Sequence, residues 1–397
     1  MKTFLSQRAV NLSPSPTMAI DAKAKQMKAD GIDVIGFGAG EPDFDTPQHV
    51  KQAGIKAIEE GFTKYTPAAG TLELRKSICE KLQRDNGLVY KPSQIVVSNG
   101  AKHSLYNAMQ VLVDDGDEVI VPAPYWVSYN EQIKLCGGVP VVVEAKAAQG
   151  FRISPEQLDA AVTARTKAVI INSPSNPTGV VYDASELKAL AEVIVRHGII
   201  CISDEIYEKL IYEGEHVSIA SFNPEIKKLT IVINGLSKSH SMTGWRIGYA
   251  AAEAEIAAAM ADLQSQTTSN PSSISQMASL AALAEEPCTR MIEEFRRRRD
   301  YMVDVLNSIE GIDCLKPSGA FYVFPDVSGL FGRGCGGRTI ESSSDLADYL
   351  LEEVGVAVVP GVAFGADNCI RLSYATSMDN IEEGLRRIAK AIERFSM

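Results

Sequence analysis

The chain has 397 residues, a formal net charge of −11, and 45% hydrophobic against 22% charged residues. That length suits two domains, or one large α/β domain with an appendage, and the ordinary globular composition argues against long disordered tails. The acidic balance argues against a nucleic-acid surface, which needs a basic face.

The first forty-odd residues hold Pro14, Pro16 and a turn-rich stretch over 36–47. They are expected to pack on a small domain or run to a partner subunit. From about residue 50 to 290, short apolar β-branched runs alternate with amphipathic stretches such as 185–196. Those runs are 94–97, 118–121, 168–171, 199–202 and 229–233. Short, nearly continuous apolar runs are the mark of buried strands in a mostly parallel sheet, and the alternation reads as a doubly wound α/β core. A long charged helix follows over 289–309. Its run Arg296, Arg297, Arg298, Arg299 is flanked by Glu293, Glu294 and Asp300 and reads as a solvated helix face. Two further strands are predicted at 320–324 and 369–374, with a flexible surface loop over 331–344. The predicted division is therefore 1–47 as an N-terminal arm and part of a small domain, 48–290 as the large domain, and 291–397 as the small C-terminal domain.

Seven scattered cysteines without a CxxC pair imply reduced thiols and a cytoplasmic setting. His49, His103, His197, His216 and His240 never fall at metal-ligand spacing, so no metal is expected. No charged start with an apolar core suggests a signal peptide, and no apolar run is long enough to span a bilayer.

In an open parallel sheet, ligands bind beyond the carboxyl ends of the strands. After 94–97 come Gly100, Ala101 and Lys102 at the start of a helical pattern, where free N–H groups suit a phosphate. After 118–121, two prolines precede Tyr125 and Trp126, an aromatic able to stack on a flat ring. After 168–171, Xaa-Pro turns surround Asn176, whose amide suits a phenolate or carboxylate. After 199–202 comes Asp204, a carboxylate that needs a cationic partner at the end of an apolar strand. After 229–233 comes Lys238 among small residues, where desolvation would make the amine nucleophilic. Each signal alone has a plainer reading: a tight turn, a core tryptophan, turn chemistry, a helix cap, a surface lysine. Together they supply a phosphate cradle, a ring stacker, a phenolate donor, a pyridinium partner and an imine-forming amine, a set that fits pyridoxal 5'-phosphate (PLP).

SNGAK, PYWVSY, NSPSNPTG, SDEIY and SKSHSMTGWRIGY, with AGEPDFDTP near the start and RLSYA near the end, resemble the motifs of class I PLP-dependent aminotransferases of fold type I. The resemblance runs over almost the whole chain and is nearest to bacterial-type aspartate aminotransferases, some of which also accept prephenate. It implies a large domain with a seven-stranded, mostly parallel sheet between helices, a smaller α+β domain, and a homodimer with shared active sites. It implies ping-pong transamination between L-aspartate or L-glutamate and 2-oxoglutarate or oxaloacetate. Lys238 would carry PLP as a Schiff base and move the proton. Asp204 would hold the pyridine nitrogen protonated, Tyr207 and Asn176 would bond the ring oxygen, and Trp126 would stack on the ring. Gly100, Ala101, Lys102, Ser237 and Arg246 would surround the phosphate, with Tyr65 reaching that of the neighbouring subunit. Arg371 would clamp the substrate α-carboxylate and Gly40 would contact substrate through its backbone. Lys102, Ser15 and Thr17 would meet the distal carboxylate. One departure stands out: some relatives have a phosphate-binding serine where this chain has Gly235.

Other readings compete. Fold type I also hosts β-lyases, decarboxylases and cyclopropane-forming synthases. A PLP-fold sensor in a transcription regulator would need a helix-turn-helix domain, for which no length precedes residue 15. A Rossmann dehydrogenase fails because the glycines at 36, 38 and 40 miss the GxGxxG spacing and Pro42 follows. A hydrolase elbow at Ser237 fails because residue 239 is not glycine.

Overall fold

The computed structural model describes residues 4–13, 16–287 and 289–396, with Asp21 described in its backbone only. The apolar runs form a seven-stranded sheet. After a short β1 (Ile35–Gly36), its strands are β2 (Ile95–Ser98), β3 (Glu118–Ala123), β4 (Val139–Glu144), β5 (Thr166–Asn172), β6 (Ile200–Asp204), β7 (Thr230–Gly235) and β8 (Gly248–Ala251). The spatial order is β2-β8-β7-β6-β5-β3-β4. Only β8 runs antiparallel to its neighbours β2 and β7, so the other six share one direction and present their carboxyl ends along one edge. The five predicted runs, β2, β3, β5, β6 and β7, are buried almost throughout, which is why they lack alternation.

The flanking helices follow local rules. The helix Ala184–His197 begins at Asp183, which with Glu186 forms a reciprocal capping box, and it stops at the left-handed Gly198. Its buried face (Leu187, Leu190, Ala191, Ile194) is spaced three to four residues apart and packs on the sheet.

The C-terminal part is built on the antiparallel sheet of β9 (Tyr322–Val323), β13 (Val359–Pro360) and β14 (Ile370–Ser373), ordered β13-β14-β9. Helices Thr289–Asn307, Ser343–Val354 and Met378–Ile392 cover it. The N-terminal segment joins this part: β1 pairs in parallel with β12 (Val356–Ala357), and the Ser373 amide donates to the Phe37 carbonyl.

Two expectations are corrected. The segment 331–344 is not a featureless loop: β10 (Gly334–Cys335) and β11 (Arg338–Thr339) form a small hairpin, and the helix from Ser343 starts inside it. The arginine run is a solvated face only in part: Arg296 and Arg297 are exposed. Arg298 and Arg299 are buried, because three- and four-residue steps along the helix turn this part of the run inward. Arg298 bonds Asp43 at 2.8 Å and the Tyr374 carbonyl, and Arg299 bonds the Pro317 carbonyl and lies over the Tyr212 ring. Among the described residues, no helix is long and apolar enough to cross a membrane.

Candidate active site

Beyond the shared strand ends lies a cavity of about 570 Å³. Its lining includes Thr17, Gly40, Ala101, Lys102, Trp126, Asn176, Asp204, Tyr207, Ser237, Lys238, Arg246 and Arg371, so most of the predicted site residues meet in one place.

Lys238 stands in the loop after β7, and its Nζ donates to the Gly40 carbonyl. Burial pulls its ammonium down to about 8; Arg246 and Arg371 push the same way, while Glu41 and Asp204 oppose them. Asp204 closes β6. Burial raises its carboxyl to about 6, and the donated bonds from the Tyr129 hydroxyl (2.7 Å) and the Ile206 amide work against that rise. Tyr129 also meets the Trp126 ring edge-on at 5.4 Å. The Nζ of Lys102 sits 4.8 Å over the same indole.

Gly100 precedes the helix Ala101–Leu112 with a φ of 86° and contributes no side chain to its free amides. A Cβ there would collide with the Arg246 guanidinium, so glycine keeps this corner open for that cation. Arg246 itself adopts the left-handed conformation, which aims its guanidinium back to the carbonyls of Thr243 (2.9 Å) and Asn99 (3.2 Å). A helix N-terminus, a serine and an arginine at one end of the cavity make an anion seat.

Arg371, also in the lining, is buried. Its Nη1 donates to Asn176 Oδ1 at 3.0 Å and Nη2 to the Gly38 carbonyl at 2.8 Å, whereas Nε has no partner. A buried guanidinium with a spare donor suits a carboxylate brought in from outside.

Tyr65 is 91% exposed and stays outside this cavity. Ser15 lies outside the described residues, while Thr17 lines the cavity. The Gly235 departure has a packing reason: a Cβ there would come within 2.9 Å of the Gly248 Cα and the Ile247 carbonyl on the neighbouring strand. Tyr129 and Tyr322 line the cavity and were missed from sequence. Tyr129 ends the PYWVSY motif and Tyr322 sits in a predicted strand, so both were in view without a role.

Behind the site, Glu205, Glu208 and His216 bring metal-ligand-type atoms together, which no histidine spacing foretold. The Lys81 ammonium contacts Glu208, so the chain's own cation already serves this cluster.

The chain matches the family described as aminotransferase class I and II over residues 32–388. It is 55% identical over 393 residues to the aspartate aminotransferase of Geobacillus stearothermophilus, covering 98% of this chain and 99% of that one. It is 51% identical to a probable aspartate/prephenate aminotransferase of Aquifex aeolicus, with both chains fully covered. The crystal structure of the Rhizobium meliloti aspartate aminotransferase superposes with a TM-score of 0.96 at 48% identity over the whole of both chains.

Proposed function

The chain belongs to the class I and II aminotransferases, and from that premise we propose that it is a PLP-dependent aspartate aminotransferase. It would exchange the amino group between L-aspartate or L-glutamate and 2-oxoglutarate or oxaloacetate in two alternating half-reactions. The observation that carries this is the placing of Lys238, Asp204 and Arg371 around one cavity, with the guanidinium of Arg371 buried and its Nε unpartnered.

The donor set fits the cofactor. The Ala101 helix terminus, Ser237 and Arg246 would hold its phosphate, and Lys102 lies beside them. When bound, PLP supplies an electrophilic carbonyl carbon and a pyridinium ring that accepts the electron pair released at the substrate Cα. Asp204, held in line by the Tyr129 hydroxyl, would keep the ring nitrogen protonated. Tyr207 and the Asn176 amide would donate to the ring oxygen, and Trp126 would stack on the ring. Lys238 Nζ takes the proton from the substrate Cα and delivers it one carbon away, a task that needs the neutral amine favoured by its burial. Arg371 and the Gly40 backbone orient the α-carboxylate. Lys102 and Thr17 line the cavity and, with Ser15, would meet the distal carboxylate of acidic substrates.

Separate sheets for residues 95–251 and 322–373 support a division near residues 47 and 290. A cytoplasmic homodimer completes the reading. A second activity toward prephenate is supported by the name of the Aquifex aeolicus relative.

Lys238→Ala tests the assignment. The purified variant, mixed with PLP, is expected to lack the lysine-linked visible band and nearly all turnover of aspartate with 2-oxoglutarate; turnover at the unaltered rate would overturn it. Appearance of pyridoxamine phosphate after glutamate is added to unaltered enzyme separates transamination from β-elimination, and the same assay with prephenate as acceptor decides the second activity.

A further inference from the structure

We infer that Tyr322 is a positioning residue that joins the carboxylate clamp to the Tyr207 phenol: its hydroxyl directs the Tyr207 hydroxyl, and its ring carries the Arg371 guanidinium. This rests on the transamination reading above.

Tyr322 and Arg371 come from the same antiparallel sheet, with Ser373 opposite Tyr322 and Leu372 opposite Val323. Tyr207 follows β6 of the large sheet. The Tyr207 and Tyr322 hydroxyls meet across this boundary at 2.9 Å, both buried. A hydroxyl has one proton and two lone pairs. When Tyr207 donates to an oxygen in the cavity, its own oxygen is free to accept from Tyr322. The Tyr322 proton therefore sets the direction of the pair and strengthens the outgoing bond.

The ring does separate work. The Arg371 guanidinium lies 4.5 Å over the Tyr322 ring and 5.0 Å from that of Phe364. These faces hold the cation where its two terminal nitrogens reach Asn176 and Gly38, with its Nε buried and unpartnered. Gly40, beside Lys238, also adjoins this residue, since a Cβ there would lie 3.4 Å from the Tyr322 hydroxyl. One side chain thus touches the groups assigned to the α-carboxylate and to the ring oxygen. A carboxylate settling on Arg371 presses on the Tyr322 ring, and its hydroxyl passes that constraint to Tyr207.

The test uses PLP-loaded unaltered enzyme, Tyr322→Phe, Tyr322→Leu, Tyr207→Phe and the Tyr207→Phe/Tyr322→Phe double variant. The readouts are the pH midpoint of the visible absorbance change, the PLP dissociation constant, and kcat and KM for aspartate. Without the Tyr322 hydroxyl, Tyr207 donates more weakly, the ring oxygen keeps more negative charge, and the neighbouring proton is held more tightly. Tyr322→Phe is therefore expected to raise the midpoint by about half a unit and lower kcat about tenfold, with KM within about twofold. Tyr322→Leu, which also removes the ring, should raise KM about tenfold or more. Because the hydroxyl acts through Tyr207, the double variant should keep the midpoint of Tyr207→Phe alone. An unmoved midpoint in Tyr322→Phe, or additive midpoint shifts in the double variant, would overturn the inference. Absence of a visible band in the unaltered protein would instead overturn the cofactor reading, and the inference with it.

Discussion

At the scale of single residues, the site is tuned chiefly by burial. Removing Lys238 from water disfavours its ammonium and brings it down to about 8, with Arg246 and Arg371 adding to the effect. The sign matters for reactivity. Below pH 8 the lysine is mostly charged and inert; above it the lone pair is available. The rate at which cofactor-free protein captures PLP into a visible-absorbing form should therefore rise with pH around a midpoint near 8 and then level off. Stopped-flow absorbance checks this, and a midpoint at the ordinary lysine value of 10.5 would count against the cavity's control of the amine. Asp204 shows the opposite shift from the same cause: burial lifts it to about 6, leaving a carboxylate that gains from a cation placed beside it.

At the scale of elements, close backbone approach decides what side chains are allowed. Gly235 ends β7 against β8, and its missing Cβ is what lets Ile247 and Gly248 pass. Gly235→Ala should destabilise the protein by about 1–3 kcal/mol through overpacking. Urea unfolding measures this, and an unchanged midpoint would show that β8 shifts freely. The same contact leaves no room for a serine side chain there, so in the proposed site the phosphate would fall to Ser237, Arg246 and the Ala101 helix terminus. The long helix makes a related point. Arg298 and Arg299 looked like solvent-facing charges because their partners, Asp43, Glu213 and the Pro317 and Tyr374 carbonyls, lie far away in sequence.

At the scale of the whole molecule, one chain leaves Tyr65 almost fully exposed, remote from any role it was expected to play. If the residue reaches a partner's phosphate, the protein sediments as a dimer and Tyr65→Phe weakens PLP binding about tenfold, the worth of one hydrogen bond to a charged group, with the dimer intact. Analytical ultracentrifugation and PLP titration check both halves, and a fully active monomer would remove Tyr65 from the site.

Much of the architecture was legible in the chain. The five buried strands and the helix Ala184–His197 follow from local apolar patterning and capping, because burial on both faces leaves a continuous apolar run and a capping box is written in four residues. Lys238, Asp204 and Asn176 were legible because each lies just beyond such an apolar run, whereas Arg246 came from the family resemblance alone. What patterning could not show is who stands opposite whom. β4 was overlooked because half of its residues are exposed, and the antiparallel direction of β8 is set only by its pairing with β2 and β7. Tyr129 bonding Asp204, Tyr322 bonding Tyr207 and Arg298 bonding Asp43 join residues separated by up to 255 positions. The sequence by itself determined the strands, their order of appearance and the chemical parts at their ends, since these depend on neighbours along the chain. The tertiary structure alone decided which parts share a cavity and which charges are buried, since desolvation and hydrogen bonding act between groups that only folding brings within reach.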